Sequence, residues 1–276
     1  MVSCVARADG VAYALAHPRR GKTTDTDTSI VFEVSPTKAR AIHTFAHEVT
    51  GICELDGALF CVDGDADLHE YTPASGTWKH HAGVGAKVAR INQVRATGGH
   101  VYGLTGDGII YDWEPRGRRW TALTKEIDGL YLHDIADDAR GTRWVTGSEG
   151  FLGVLTKGAI QKREVAVQTH LTSVLPLADG RLVITGWEGT VLVGPPDQLR
   201  AVGRGEESCL DAVWWNERVL VAASKEILEL QAGKLVSFAK QAALQLATNG
   251  QRLWRADSKG LAWLDARTWQ DVTLAV

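Results

Sequence analysis

GHVYGLTGDGIIYDW (99–113), TRWVTGSEGFLGVL (142–155) and RLVITGWEGTVLVG (181–194) are three versions of one hairpin: a β-rich run, a Thr-Gly turn, a second β-rich run. Gly108, Gly150 and Gly189 close the turns, at separations of 42 and 39 residues. A small sheet repeated at such a period cannot cover both of its faces alone and must stack on copies of itself. Repeats of about 40–50 residues with four short strands each define the blades of a β-propeller.

The repeat can be walked from end to end as seven units: 2–47, 49–83, 90–126, 129–167, 170–205, 208–240 and 242–276. Within each, strand A leads to strand B through a tight turn, often Asp-Gly, Asn-Gly or Gly-Gly (Asp9-Gly10, Asp56-Gly57, Gly98-Gly99, Asp179-Gly180, Asn249-Gly250). Such pairs supply the positive φ angles that two-residue hairpins require. A B–C turn, strand C, a C–D turn and edge strand D follow. The first unit carries an insertion, His17 to Ser29, the sixth replaces the glycine turn with Ser224-Lys225-Glu226, and Asp271–Val276 reads as the last strand D. The expected fold is all-β, a single seven-bladed β-propeller domain over residues 1–276, closed by packing its first blade on its last without strand exchange or, alternatively, with a one-strand offset.

The tryptophans fit this architecture. Trp78, Trp120 and Trp269 each follow a C–D turn, where a large ring packs between blades. Adjacent Trp214 and Trp215 point to opposite faces of one strand, so both faces are expected to be covered.

Charge and cysteine usage narrow the function classes. With 30 basic against 33 acidic residues and no basic stripe, nucleic acid is not an expected partner. No apolar run approaches the roughly 18 residues of a membrane span, and MVSCVARADG has no signal-peptide core. Cys4, Cys53, Cys61 and Cys209 form no metal spacing; they read as small buried thiols, consistent with a reducing, cytoplasmic setting.

The turn pattern resembles the bacterial neuraminidase-type and photosystem-assembly-factor-like propeller repeats, in which a Gly-x-x-Gly hairpin precedes a short hydrophobic strand. Tyr71 and Trp78 also echo the kelch spacing. The resemblance implies a bacterial propeller. It does not extend to sialidase chemistry: Thr72-Pro-Ala-Ser75-Gly76-Thr77-Trp78 lacks the aspartate of an Asp box.

Chemistry-bearing residues are few. Gly21-Lys22-Thr23 has the tail of a phosphate loop without its leading glycine, and a surface loop is expected. Asp63, Asp65 and Asp67 alternate on a hairpin tip and are the candidate metal ligands, for Ca²⁺, although Leu68 stands where a calcium loop needs glycine. Otherwise no cofactor is implied. Of nine histidines, His80-His81 has no evident third ligand, and His43 and His47 read as edge-strand residues, so scattered imidazoles are expected. His133-Asp134 is placed on strand A of blade four, facing the channel.

Trp187 stands at the tip of a B–C turn, where the sister blades carry Asp107 or Ser148. Exposed tryptophan is enriched among binding hot spots. The B–C and D–A loops hold the long, chemically varied connections: 17–29, 63–67, 80–90, Trp187-Glu188 and Arg204 to Glu207. The expectation is a non-enzymatic protein-binding propeller, an assembly scaffold or an immunity-type partner neutralising a bacterial toxin or effector. Its expected protein-binding residues are Trp187, Glu188, Glu206 and Glu207. The alternative is a lyase or hydrolase with a pocket at the channel mouth. Oligomeric state is left open.

Overall fold

The computed structural model describes residues 2–20, 23–24, 28–81, 83, 90–203 and 205–275. They form seven four-stranded antiparallel sheets in a ring, spanning 2–45, 49–81, 91–122, 132–163, 171–201, 209–239 and 245–272. No helix occurs among the described residues. Every sheet uses four consecutive major strands, so the ring closes without strand exchange. Blade one's insertion carries a small extra pair, Arg19–Arg20 with Thr23–Thr24. Gly21 and Lys22 lie outside the described residues.

Burial follows position in the blade. Strand B is covered on both faces, as in Ala12–Ala16 and Leu182–Gly186, where every residue is buried. Strand D lies at the outer edge, as in the mostly exposed Ala159–Arg163. Continuous apolar runs in B and charged ones in D are what two-sided and one-sided burial select.

The core is divided into seven clusters, one at each blade interface. The cluster joining blades one and seven contains Val2, Cys4 and Phe32 on one side and Trp254, Ala256 and Leu261 on the other. Polar bonds reinforce this closure: Cys4 N donates to Gln245 Oε1 (3.0 Å) and Asn249 Nδ2 to Arg7 O (2.8 Å). Trp120 is buried between blades two and three, while Trp78 and Trp269 pack partly buried at the one–two and six–seven interfaces. All four cysteines are free and buried.

The repeated glycine has a double cause. Gly108, Gly150 and Gly189 have φ of 78°, 69° and 69°, and each also abuts its own blade's D–A connection. A Cβ on Gly150 would sit 2.0 Å from Val167 O, and one on Gly189 2.0 Å from Gly205 O. Both the left-handed backbone and the close approach exclude a side chain.

Two expectations need correction. Trp214 is 50% exposed, not covered. It is the penultimate residue of strand A, beside the Asn216-Glu217 turn, so its ring meets solvent at the rim while Trp215 turns inward toward Phe238. The last strand D is Thr268–Val272, because the left-handed Ala266 completes the C–D turn earlier than the sequence suggested.

Candidate functional site

The B–C turns and D–A loops share one face of the ring, and there the structure assembles an aromatic patch across blades four and five. Strand A of blade four is Leu132–Asp137 and of blade five Leu171–Pro176. The B–C turns 147–151 and 186–190 are bonded alike. Ser148 N donates to Tyr131 O (2.8 Å), as Trp187 N donates to His170 O (3.0 Å). Each turn closes with a left-handed Glu-Gly pair, Glu149-Gly150 and Glu188-Gly189. Tyr131 and His170 are therefore the same repeat position, immediately before strand A.

The rings form a chain. Trp187 meets His170 at 4.2 Å between centroids, His170 meets His133 at 5.8 Å, and His133 meets Tyr131 at 5.0 Å. Both ends are open, with Trp187 45% and Tyr131 40% exposed. Two nitrogens in the middle, His133 Nε2 and His170 Nδ1, are buried with no hydrogen-bond partner among the described residues. Burial, and then the neighbouring His170, push the His133 imidazole down to about 4, so it is neutral near pH 7.

The predicted binding residues fall around this patch. Glu188 is exposed and lines a cleft of about 360 Å³ with Val167, Gln168, Thr169 and Thr190. Glu206 is exposed; Glu207 is ion-paired with Lys225 at 2.5 Å. The tight contact of Gly189 on Gly205 sets the Trp187-Glu188 turn against the segment leading into Glu206. Arg204 and most of 80–90 lie outside the described residues. Tyr131 and His170 escaped the sequence reading. Aligning the D–A junctions, rather than the B–C turns alone, would have matched Tyr131 to His170.

Along the channel, strand A of blades two to six carries a bulge after its first residue. A bulge re-aims the residue that follows, which is Asp134 in blade four and Asp211 in blade six. Asp134 accepts from Arg95 Nε (2.7 Å) and from Val174 N (3.0 Å). Asp211 accepts from Leu246 N (2.9 Å). Burial raises the Asp211 carboxyl to about 7, with Asp134 adding to the effect. His133-Asp134 lies on strand A as expected, but the aspartate acts as an inter-blade tie while the histidine joins the aromatic chain.

Asp63, Asp65 and Asp67 do not come together as an oxygen cage. Asp63 is buried, and its Oδ1 accepts from the amides of Asp65 (2.9 Å) and Asp67 (3.0 Å). Its Oδ2 instead meets His69 Nε2 (2.9 Å) and His47 Nε2 (3.2 Å). Asp65 is exposed, and Asp67 pairs with His80 Nε2 at 2.5 Å. The histidines are thus not scattered. His47 lies in the loop after strand D, which ends at Phe45, and the hairpin folds His69 over it.

Two clefts lie elsewhere, between blades six and seven. One of about 860 Å³ runs along Trp215, Arg218, Phe238, Arg267 and Trp269, and one of about 570 Å³ along Lys240, Arg255, Asp257 and Lys259.

These features define a seven-bladed β-propeller with a loop-rich face. No family model and no curated protein matches the chain. Solved structures match its fold. The extracellular domain of a putative hybrid two component system from B. thetaiotaomicron is 12% identical with a TM-score of 0.72, over 95% of this chain and 37% of that one. The chain thus spans little more than a third of that protein. YCF48 bound to D1 peptide is 15% identical with a TM-score of 0.71, over 95% of this chain and 91% of that one. The virginiamycin B lyase of Staphylococcus aureus is 12% identical with a TM-score of 0.71, over 96% and 89%.

Proposed function

We infer that this propeller binds a protein through its loop-rich face, centred on Trp187 and Tyr131. The carrying observation is that two large rings on adjacent blades stand about half exposed at the ends of one aromatic chain. Rings held by rigid turns offer contact area at little entropic cost, and partly open aromatic anchors are the usual hot spots of such surfaces. Glu188 and Glu206 supply an acidic rim, which favours a partner with basic or amide groups around an apolar centre. That YCF48 was solved with a peptide bound agrees with this use of the architecture. An assembly scaffold or an immunity-type protein neutralising a toxin or effector is the biological role this reading favours.

The lyase or hydrolase alternative has less support. Of the channel carboxylates, Asp134 is already engaged by Arg95 and a backbone amide, and Asp211 by two backbone amides. Hydrogen exchange on the complex with a partner captured from source-cell lysate tests the face. Slowed exchange is expected at 129–131 and 186–190, with 214–217 unchanged. The reverse pattern would put the interface on the other side of the ring.

A further inference from the structure

We propose that His47, Asp63 and His69 form a site for a zinc-like divalent transition metal at the junction of blades one and two. It is separate from the aromatic patch and does not depend on it. Among the described residues this is the one group of three ligand-type side chains whose candidate atoms all lie within 4.8 Å of one another.

The two imidazole nitrogens approach the same oxygen, Asp63 Oδ2, at 2.9 Å for His69 and 3.2 Å for His47. Metal–ligand bonds of about 2.0–2.2 Å in a tetrahedral shell put adjacent ligand atoms about 3.3 Å apart, so the side chains already stand near coordinating separation. In the metal-free form His69 Nε2 donates to the carboxylate, with His47 Nε2 close to the same oxygen. Coordination requires the metal-facing Nε2 of each imidazole to be free of its proton, because only a ring nitrogen with an open lone pair is a ligand.

The surroundings hold the ligands in place. The amides of Asp65 and Asp67 fix Asp63 Oδ1, leaving Oδ2 toward the imidazoles. Buried Ser29 donates to His47 O (3.0 Å) and accepts from Val49 N (2.8 Å), pinning the loop on both sides of residue 48. Phe45 covers both rings, 4.8 Å from His69 and 5.4 Å from His47. Oriented ligands with an apolar wall are what metal affinity requires. His47 is 47% exposed, so the remaining coordination positions face water. The second pair, His80 and Asp67, stands alongside, its imidazole 5.1 Å from His69.

The donor set decides the metal class. Two nitrogens and one oxygen suit Zn²⁺, Co²⁺ or Ni²⁺, whereas Ca²⁺ takes six to eight oxygens. A bound ion would clamp the loop entering blade two onto that blade's B–C hairpin.

The test titrates chelator-treated protein with Zn²⁺ by calorimetry, with Co²⁺ absorption reporting coordination and Ca²⁺ as comparison. One Zn²⁺ per chain, a raised melting temperature and no Ca²⁺ binding are expected. His47→Ala and His69→Ala should each weaken Zn²⁺ by on the order of tenfold or more, while His100→Ala, at a surface His–Asp pair in blade three, should not. Half-exposed His47 can be removed without disturbing the core, so the test survives if His69→Ala folds poorly. Absent Zn²⁺ binding, undiminished binding in His47→Ala, or preferential Ca²⁺ binding overturns the site.

Discussion

Asp134 of blade four and Arg95 of blade three form a 2.7 Å ion pair in the channel wall, and the other oxygen of the same carboxylate accepts the Val174 amide of blade five. One side chain therefore ties three blades. Asp134→Ala would leave the Nε of Arg95 and the buried Val174 amide without their acceptor. Removing one member of a buried pair costs about 3–5 kcal/mol, and the part-exposed Arg95 brings the expected loss to about 2–3 kcal/mol. Urea unfolding measures it; a loss under about 0.5 kcal/mol would mean the tie carries no weight.

The glycines that carry the repeat should differ sharply from those in simple turns. Gly189→Ala meets both a φ of 69° and the Gly205 carbonyl at 2.0 Å, whereas Gly57→Ala meets only strain, with nothing among the described residues within 4 Å of its Cβ. Gly57→Ala should cost about 1–2 kcal/mol and Gly189→Ala distinctly more. Equal melting temperatures for the two variants would refute the close-approach explanation.

Asp211 gives a pH dependence of definite sign. Its carboxyl is raised from the ordinary value to about 7, so between about pH 4 and 7 the folded chain holds a proton that the unfolded chain has lost. That contribution is present in full at low pH and disappears as pH rises to about 7. Asp211→Asn should therefore gain stability relative to the parent as pH goes from 5 to 8. A stability difference independent of pH across that window would contradict the raised value.

The fold was legible because it is written redundantly. Gly108, Gly150 and Gly189 recur at positions that tolerate nothing else, and the A–B turns repeat Asp-Gly and Asn-Gly. What local pattern could not supply was the meeting of distant side chains. His47 and His69 converge on Asp63 only because one blade's exit loop is folded over the next blade's hairpin. Trp214 was misplaced because alternation assigns a face but does not say where the neighbouring sheet ends. Trp187 could be read as exposed because its place in the repeat is a turn tip, while nothing in the local pattern marks Tyr131, which is aligned with His170 only through its bond to Ser148.

The most direct measurement of the proposed binding face is calorimetry of the captured partner with three variants. Trp187→Ala should weaken the complex by about 2 kcal/mol, roughly thirtyfold, with Tyr131→Ala in the same direction. Trp214→Ala removes an equally exposed ring on the other side and should leave affinity unchanged. The turn at 186–190 is held by backbone bonds, so Trp187→Ala should melt close to the parent. Full affinity in Trp187→Ala together with a loss in Trp214→Ala would contradict the account.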